Sequence, residues 1–143
     1  LAQDGDCKQG GILKMAEQEF FSINPSTHIR TTSENRPFYD LLVDEKHIFS
    51  TKYQLYTFAI MVALRAGVAP DSATKSLDIC LVGNVDKDNF AVAKGLVAHL
   101  CPEINNGSDL LKRMNEYADA GIAILRTDYE NSDEDFDPSA YLE

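Results

Sequence analysis

Asp109-Leu110-Leu111-Lys112-Arg113-Met114-Asn115-Glu116-Tyr117-Ala118-Asp119-Ala120-Gly121-Ile122-Ala123-Ile124-Leu125 is the stretch that decides the fold class. Leu110, Met114, Tyr117, Ala118, Gly121, Ile122 and Leu125 keep the helical period of about 3.6 residues without a miss. The segment therefore predicts an amphipathic helix, capped by Ser108 or Asp109. Gly121 inside the apolar stripe costs a helix about 1 kcal/mol relative to Ala. Its presence predicts a kink there or the close approach of a second helix.

Upstream, Ser50 or Thr51 offers an N-cap to a long apolar helix that reaches about Ala66 and stops at Gly67, with Pro70 just beyond. Leu55, Phe58, Ala59, Val62 and Ala63 form one stripe; Tyr56, Ile60 and Leu64 cover another. A helix apolar on more than one side is expected to be central. Residues 36–43 predict a short helix with Pro37 in its first turn. Asp88 is expected to cap a helix burying Phe90, Ala93, Leu96, Val97 and Leu100, ended by Pro102. Residues 77–82 read as a short strand or a turn of helix, and residues 24–36 as a loop. Ile12–Phe21 has the spacing of one more short helix. The expected fold class is all-α, a compact bundle of four or five helices. Its organisation is a partly mobile N-terminal segment at 1–35, a helical domain at 36–127 and an acidic tail at 128–143.

The chain has 143 residues, 44% hydrophobic and 25% charged, enough for one domain with a real core. Its longest apolar run, Phe58–Leu64, is far shorter than a membrane span. The start lacks an initiating Met, which suggests a trimmed end. It is polar and acidic, unlike a secretory signal. Cys7, Cys80 and Cys101 are odd in number and widely spaced, which favours free thiols in a reducing cytoplasm over a disulfide framework. Of the net charge of −10, seven units lie in residues 128–143, which hold no Lys or Arg. The body is nearly balanced, so charge gives no positive argument for nucleic-acid binding.

Little in the sequence names a chemistry. His28, His47 and His99 lack metal-ligand spacing, and Asn84–Asp88 fails the later positions of a calcium loop. There is no phosphate loop and no nucleophile elbow. No cofactor is expected. Cys80 and Cys101 read as core thiols. Asp40, Asp44 and Glu45 read as surface groups within reach of Lys52 or Arg65, with Asp40, Asp44 and His47 the least favoured basis for an enzyme. Lys52, Tyr53, Tyr56 and Arg65 are the candidate nucleic-acid contacts, combining cations with stacking rings. The tail offers another chemistry. Asp133, Glu134 and Asp135 precede Phe136, Tyr141 and Leu142, so acids alternate with apolar anchors that can dock on a partner or fold back on the body.

Phe49, Thr51, Lys52, Phe58 and Ala59, followed by Glu116, Tyr117, Ala118 and Gly121, resemble the motifs of the DNA phosphorothioation-associated (dnd system-associated) protein four family. The resemblance spans roughly residues 36–126. It departs at Asp119-Ala120-Gly121, where that family tends to carry Asn and Gly-Gly. It implies a place in a bacterial anti-phage defence locus and carries over no catalytic residue. The leading expectation is a non-catalytic accessory or regulatory subunit, partnered by a larger nuclease or ATPase and without a membrane role. DNA is then contacted only indirectly or weakly. The alternative is a small nucleic-acid-binding domain of such a system.

Overall fold

The computed structural model describes residues 22–132 and 136–142. It is mostly helical, with four α-helices and a small antiparallel sheet among those residues. The order is β1 (His28–Thr31), α1 (Arg36–Tyr39), α2 (Lys52–Ala66), β2 (Leu77–Leu81), α3 (Lys87–Leu100) and α4 (Gly107–Ser132). A π-helical turn at Asp40–Glu45 continues α1, and 3-10 turns occupy Val82–Asn84 and Pro138–Leu142. The expected helix at Ile12–Phe21 lies outside the described residues.

The largely helical expectation is met in part, with a small sheet beside the helices. Residues 77–81 do form a strand, and its partner is β1, inside the segment read as a loop. His28 pairs with Leu81 and Ile29 with Cys80; the register then shifts, so Arg30 pairs with Asp78 and Thr31 with Leu77. Ile29 and Thr31 face inward while His28 and Arg30 face out, the alternation that a strand with one buried face requires.

α2 begins where Thr51 Oγ1 accepts from the Gln54 amide at 3.3 Å. It ends at Gly67, whose φ of 69° is the left-handed conformation glycine adopts most readily. Leu55, Tyr56, Ala59, Ile60, Val62 and Ala63 are all buried, so α2 is the central helix. Two other caps shift by a few residues. Asp86, not Asp88, caps α3, its carboxylate accepting from the Asp88 and Asn89 amides. Asn106 caps α4 by accepting from the Asp109 amide at 2.8 Å. In each case the nearby polar residue fell inside the first turn. α3 also buries a narrower face than expected. Phe90, Ala93 and Val97 are in the core, while Leu96 and Leu100 face outward.

α4 is longer than its apolar stripe. It runs to Ser132, so residues 128–132 are helix rather than tail. Its most extensive helix contact is with α2. A Cβ placed on Gly121 would lie 1.8 Å from the Ala59 carbonyl oxygen, so the two backbones meet there without an intervening side chain. The expectation of close helix approach is met.

Gly121→Ala is therefore expected to destabilise the protein by about 1–3 kcal/mol despite its better helix propensity, because two main chains must separate. Gly95 of α3 has open space where its Cβ would be. Gly95→Ala is expected to stabilise by roughly 0.5–1 kcal/mol. Urea unfolding midpoints of both variants check the pair.

Candidate functional site

The side chains proposed for nucleic-acid contact do not form one face. Lys52 is held by Asp44 at 3.1 Å and Asp40 at 3.6 Å, the surface pairing expected of those acids. Tyr56 lies in the core, where its hydroxyl donates to Asn115 Oδ1 at 2.8 Å, so its ring has no free face. Tyr53 is half-buried against the core. Arg65 donates to the main-chain oxygen of Tyr141.

Of the tail residues, Asp133, Glu134 and Asp135 lie outside the described residues. Phe136 packs edge-on against Tyr129 of α4, with ring centres 5.4 Å apart. The turn that follows is fixed by Asp137, whose carboxylate accepts from the Ser139 amide and hydroxyl. These bonds, the hydroxyl one foremost, hold the Asp137 carboxyl below its ordinary value. The turn brings Tyr141 edge-on to Phe58 of α2, at 6.0 Å, and its hydroxyl donates to Asp128. Burial and the Asp128 carboxylate raise the Tyr141 phenol above its usual range. The backbone of Leu142 ends the turn.

Phe58 also lines a surface groove. Phe49, Thr57, Phe58, Met61, Asn89 and Val92 border a groove of about 390 Å³. Phe49 and Phe58, tilted to one another with ring centres 5.3 Å apart, form its aromatic wall. The polar groups there are satisfied: Thr57 donates to the main-chain oxygens of Tyr53 and Gln54, and Gln54 Oε1 accepts from the Ser50 amide. Along α3 the surface continues with residues four apart. Val92 is 56% exposed, Leu96 38% and Leu100 55%, with Met61 of α2 at 40%. The sequence pattern had placed Leu96 and Leu100 inside. A helix with aliphatic residues over so wide an arc has more apolar surface than one neighbour can cover.

Beneath the opposite flank of α4 lies a buried polar network that sequence reading missed. Asp119 is fully buried. Its Oδ1 accepts from the Thr31 hydroxyl and from Asn35 Nδ2, and its Oδ2 pairs with Lys75 Nζ at 2.7 Å. Asn35 Oδ1 accepts in turn from Arg126 at 2.7 Å. One carboxylate thus joins α4, β1 and the loop before β2. The only local signal was a charged residue inside the flawless apolar stretch of α4.

Burial pushes the Cys80 thiol up to about 11, against a smaller opposing pull from Lys52. A neutral thiol is a poor nucleophile at physiological pH. Burial also raises Tyr39 and Tyr56, and the Asp119 charge adds to it in both. Among the described residues no three His, Cys, Asp or Glu side chains are grouped to hold a metal ion. No helix among them is long and apolar enough to cross a membrane.

Two outcomes follow. Asp119→Ala removes the main charge partner of Lys75, which keeps only Asp71, and leaves two buried donors unpaired; it is expected to cost roughly 3–5 kcal/mol in a urea titration. The pH dependence has a definite sign. An unfolded chain ionises Cys80 near 9 while the folded one holds its proton to about 11. Above about 9 the unfolded state binds fewer protons, so stability falls as pH rises, with Tyr39 and Tyr56 acting in the same direction. Urea midpoints at neutral and alkaline pH measure it. Comparison of the chain with protein-family models, curated proteins and solved structures finds no match.

Proposed function

We propose that this chain is a non-catalytic accessory subunit of a bacterial anti-phage defence complex, acting with a larger DNA-processing nuclease or ATPase. The observation that carries the reading is the exposed apolar surface of Met61, Val92, Leu96 and Leu100, continuous with the groove walled by Phe49 and Phe58. A contiguous patch of this kind marks a protein interaction site more often than idle surface. The resemblance of the Phe49–Ala59 and Glu116–Gly121 segments to a defence-associated family supplies the biological setting. Cys80 and Cys101, both free, suit a reducing cytoplasm.

The occupant is an apolar segment of the larger subunit flanked by Lys or Arg. Charge complementarity argues for this chemistry. Tyr141 rests on Phe58 at the groove, and residues 128–143 around it carry seven acids without a cation. Asp128, which accepts from the Tyr141 hydroxyl, provides an acidic approach for a basic flank, while Phe136 and Tyr141 anchor the segment to its own body. Such charge steers encounter and register, and the apolar contact supplies most of the affinity. DNA is reached through the partner.

The test is co-expression with the nuclease or ATPase products of the same locus, followed by affinity measurement on the purified pair. Val92→Glu and Leu96→Glu alter exposed positions, so the fold should persist by circular dichroism. The double variant should lose at least about tenfold in affinity, since a charge is driven into the contact. Unchanged affinity, with the fold intact, would overturn the reading.

A further inference from the structure

A second cleft, of about 490 Å³, shares no lining residue with the apolar groove. Its walls come from three separate parts of the chain: β1, the loop before β2 and the first turns of α4. Each contributes a cation, namely Arg30, Lys75 and Lys112. In a chain of net charge −10, that convergence runs against the composition.

Not all of these charges are equally available. Arg30 meets Asp78 at 3.0 Å, and His28, also on the rim, meets the other oxygen of Asp78 at 3.5 Å. The Lys75 side chain is only 10% exposed and pairs with Asp119, with the Asp71 carboxylate at 3.9 Å. Lys112 is exposed and makes no ion pair among the described residues. The acid in the lining, Glu116, is tied to Arg113 at 3.2 Å. The cleft therefore holds one uncommitted cation and others balanced close by.

The neutral groups are more specific. Asn115 is 7% exposed and lines the cleft. Its Oδ1 is occupied by the Tyr56 hydroxyl, and its Nδ2 has no hydrogen-bond partner among the described residues. That leaves the amide nitrogen of a largely buried side chain, still reachable by solvent, able to donate to an occupant of the cleft. Hydroxyls of Thr27, Ser72, Thr74 and Ser108 surround it. Ser108 stands in the first turn of α4, whose end is already taken by the Asn106 cap and the Ser22 main chain.

We propose that this cleft binds a small phosphate ester with a hydroxyl-rich body, such as a sugar phosphate. Lys112 and the Ser108 hydroxyl receive the phosphate. Asn115 Nδ2 and the hydroxyls bond the polyol. The volume lies in the range of small-molecule sites. Of aromatic residues the lining contains only His28, which is paired with Asp78.

The experiment is a titration of the full chain, followed by amide chemical shifts, with ribose 5-phosphate, inorganic phosphate, ribose and a short single-stranded DNA. Saturable binding of ribose 5-phosphate is expected, tighter than for phosphate or ribose, with shifts centred on residues 72–75, 108 and 115. Lys112→Glu, a surface change, should weaken it at least tenfold. Asn115→Asp, which keeps an acceptor for Tyr56 but removes the free amide, should do the same with the spectrum otherwise native. Three results would each overturn the proposal: no saturation at millimolar ribose 5-phosphate, binding indifferent to both substitutions, or a response to the DNA alone. The last would replace it with a phosphodiester surface.

Discussion

The meeting of two main chains at Ala59 and Gly121 is the constraint on which the rest depends. With no side chain between them, α2 and α4 approach as closely as helices can. Tyr56 with Asn115 and Ala59 with Gly121 join the two helices along this contact. Residues 67–106 connect them, and that excursion carries β2 and α3. Both surface features are products of this excursion: the loop before β2 walls the cationic cleft, and α3 presents the apolar stripe.

Close packing alone does not fix the sheet against the bundle. A two-stranded sheet is marginal by itself and needs a surface to rest on. Asp119 supplies a directional tie, because its two oxygens take donors from β1, from the residue before α1 and from the loop before β2. A buried carboxylate is tolerable only when it is paired and bonded in this way. Asp119 lies two residues from Gly121, so the helix contact and the sheet anchor occupy one turn of α4.

What the sequence disclosed followed from periodicity and backbone chemistry. The α4 stripe repeats often enough to be unambiguous, Thr51 and Gly67 bracket α2, and a glycine in an apolar stripe points to a close neighbour. β1 was hidden because four residues give only two alternations, and its partner lies some fifty residues away. Asp86 and Asn106 sit beside other good capping residues, so local chemistry could not choose between neighbours. Leu96 and Leu100 share a broad arc with Phe90, Ala93 and Val97; periodicity defines such an arc without saying which edge the core takes. The pairing of Lys75 with Asp119 and the convergence of Arg30, Lys75 and Lys112 are long-range, and no single-segment pattern encodes them. The aromatic residues of the tail were legible as anchors, with folding back among their options, but not the surface they would choose.

The apolar groove and the cationic cleft approach one another through one hydrogen bond. Asn115 at the cleft accepts from Tyr56, and the next residues of α2, Thr57 and Phe58, border the groove. Sharing a helix is not coupling, which requires an element with two arrangements that both sites bias. α2 is capped at both ends, buried at Leu55, Tyr56, Ala59, Ile60, Val62 and Ala63, and pinned to α4 at Ala59. Sliding or rolling it would break the backbone contact and the Tyr56 bond together. The C-terminal turn is different, since it holds to α2 and α4 by two ring edges and a few polar contacts at the surface. Local opening is drawn from segments with few buried contacts. Adjustment to a bound partner is therefore expected to fall on this turn beside the groove, while the helix between the two sites stays fixed.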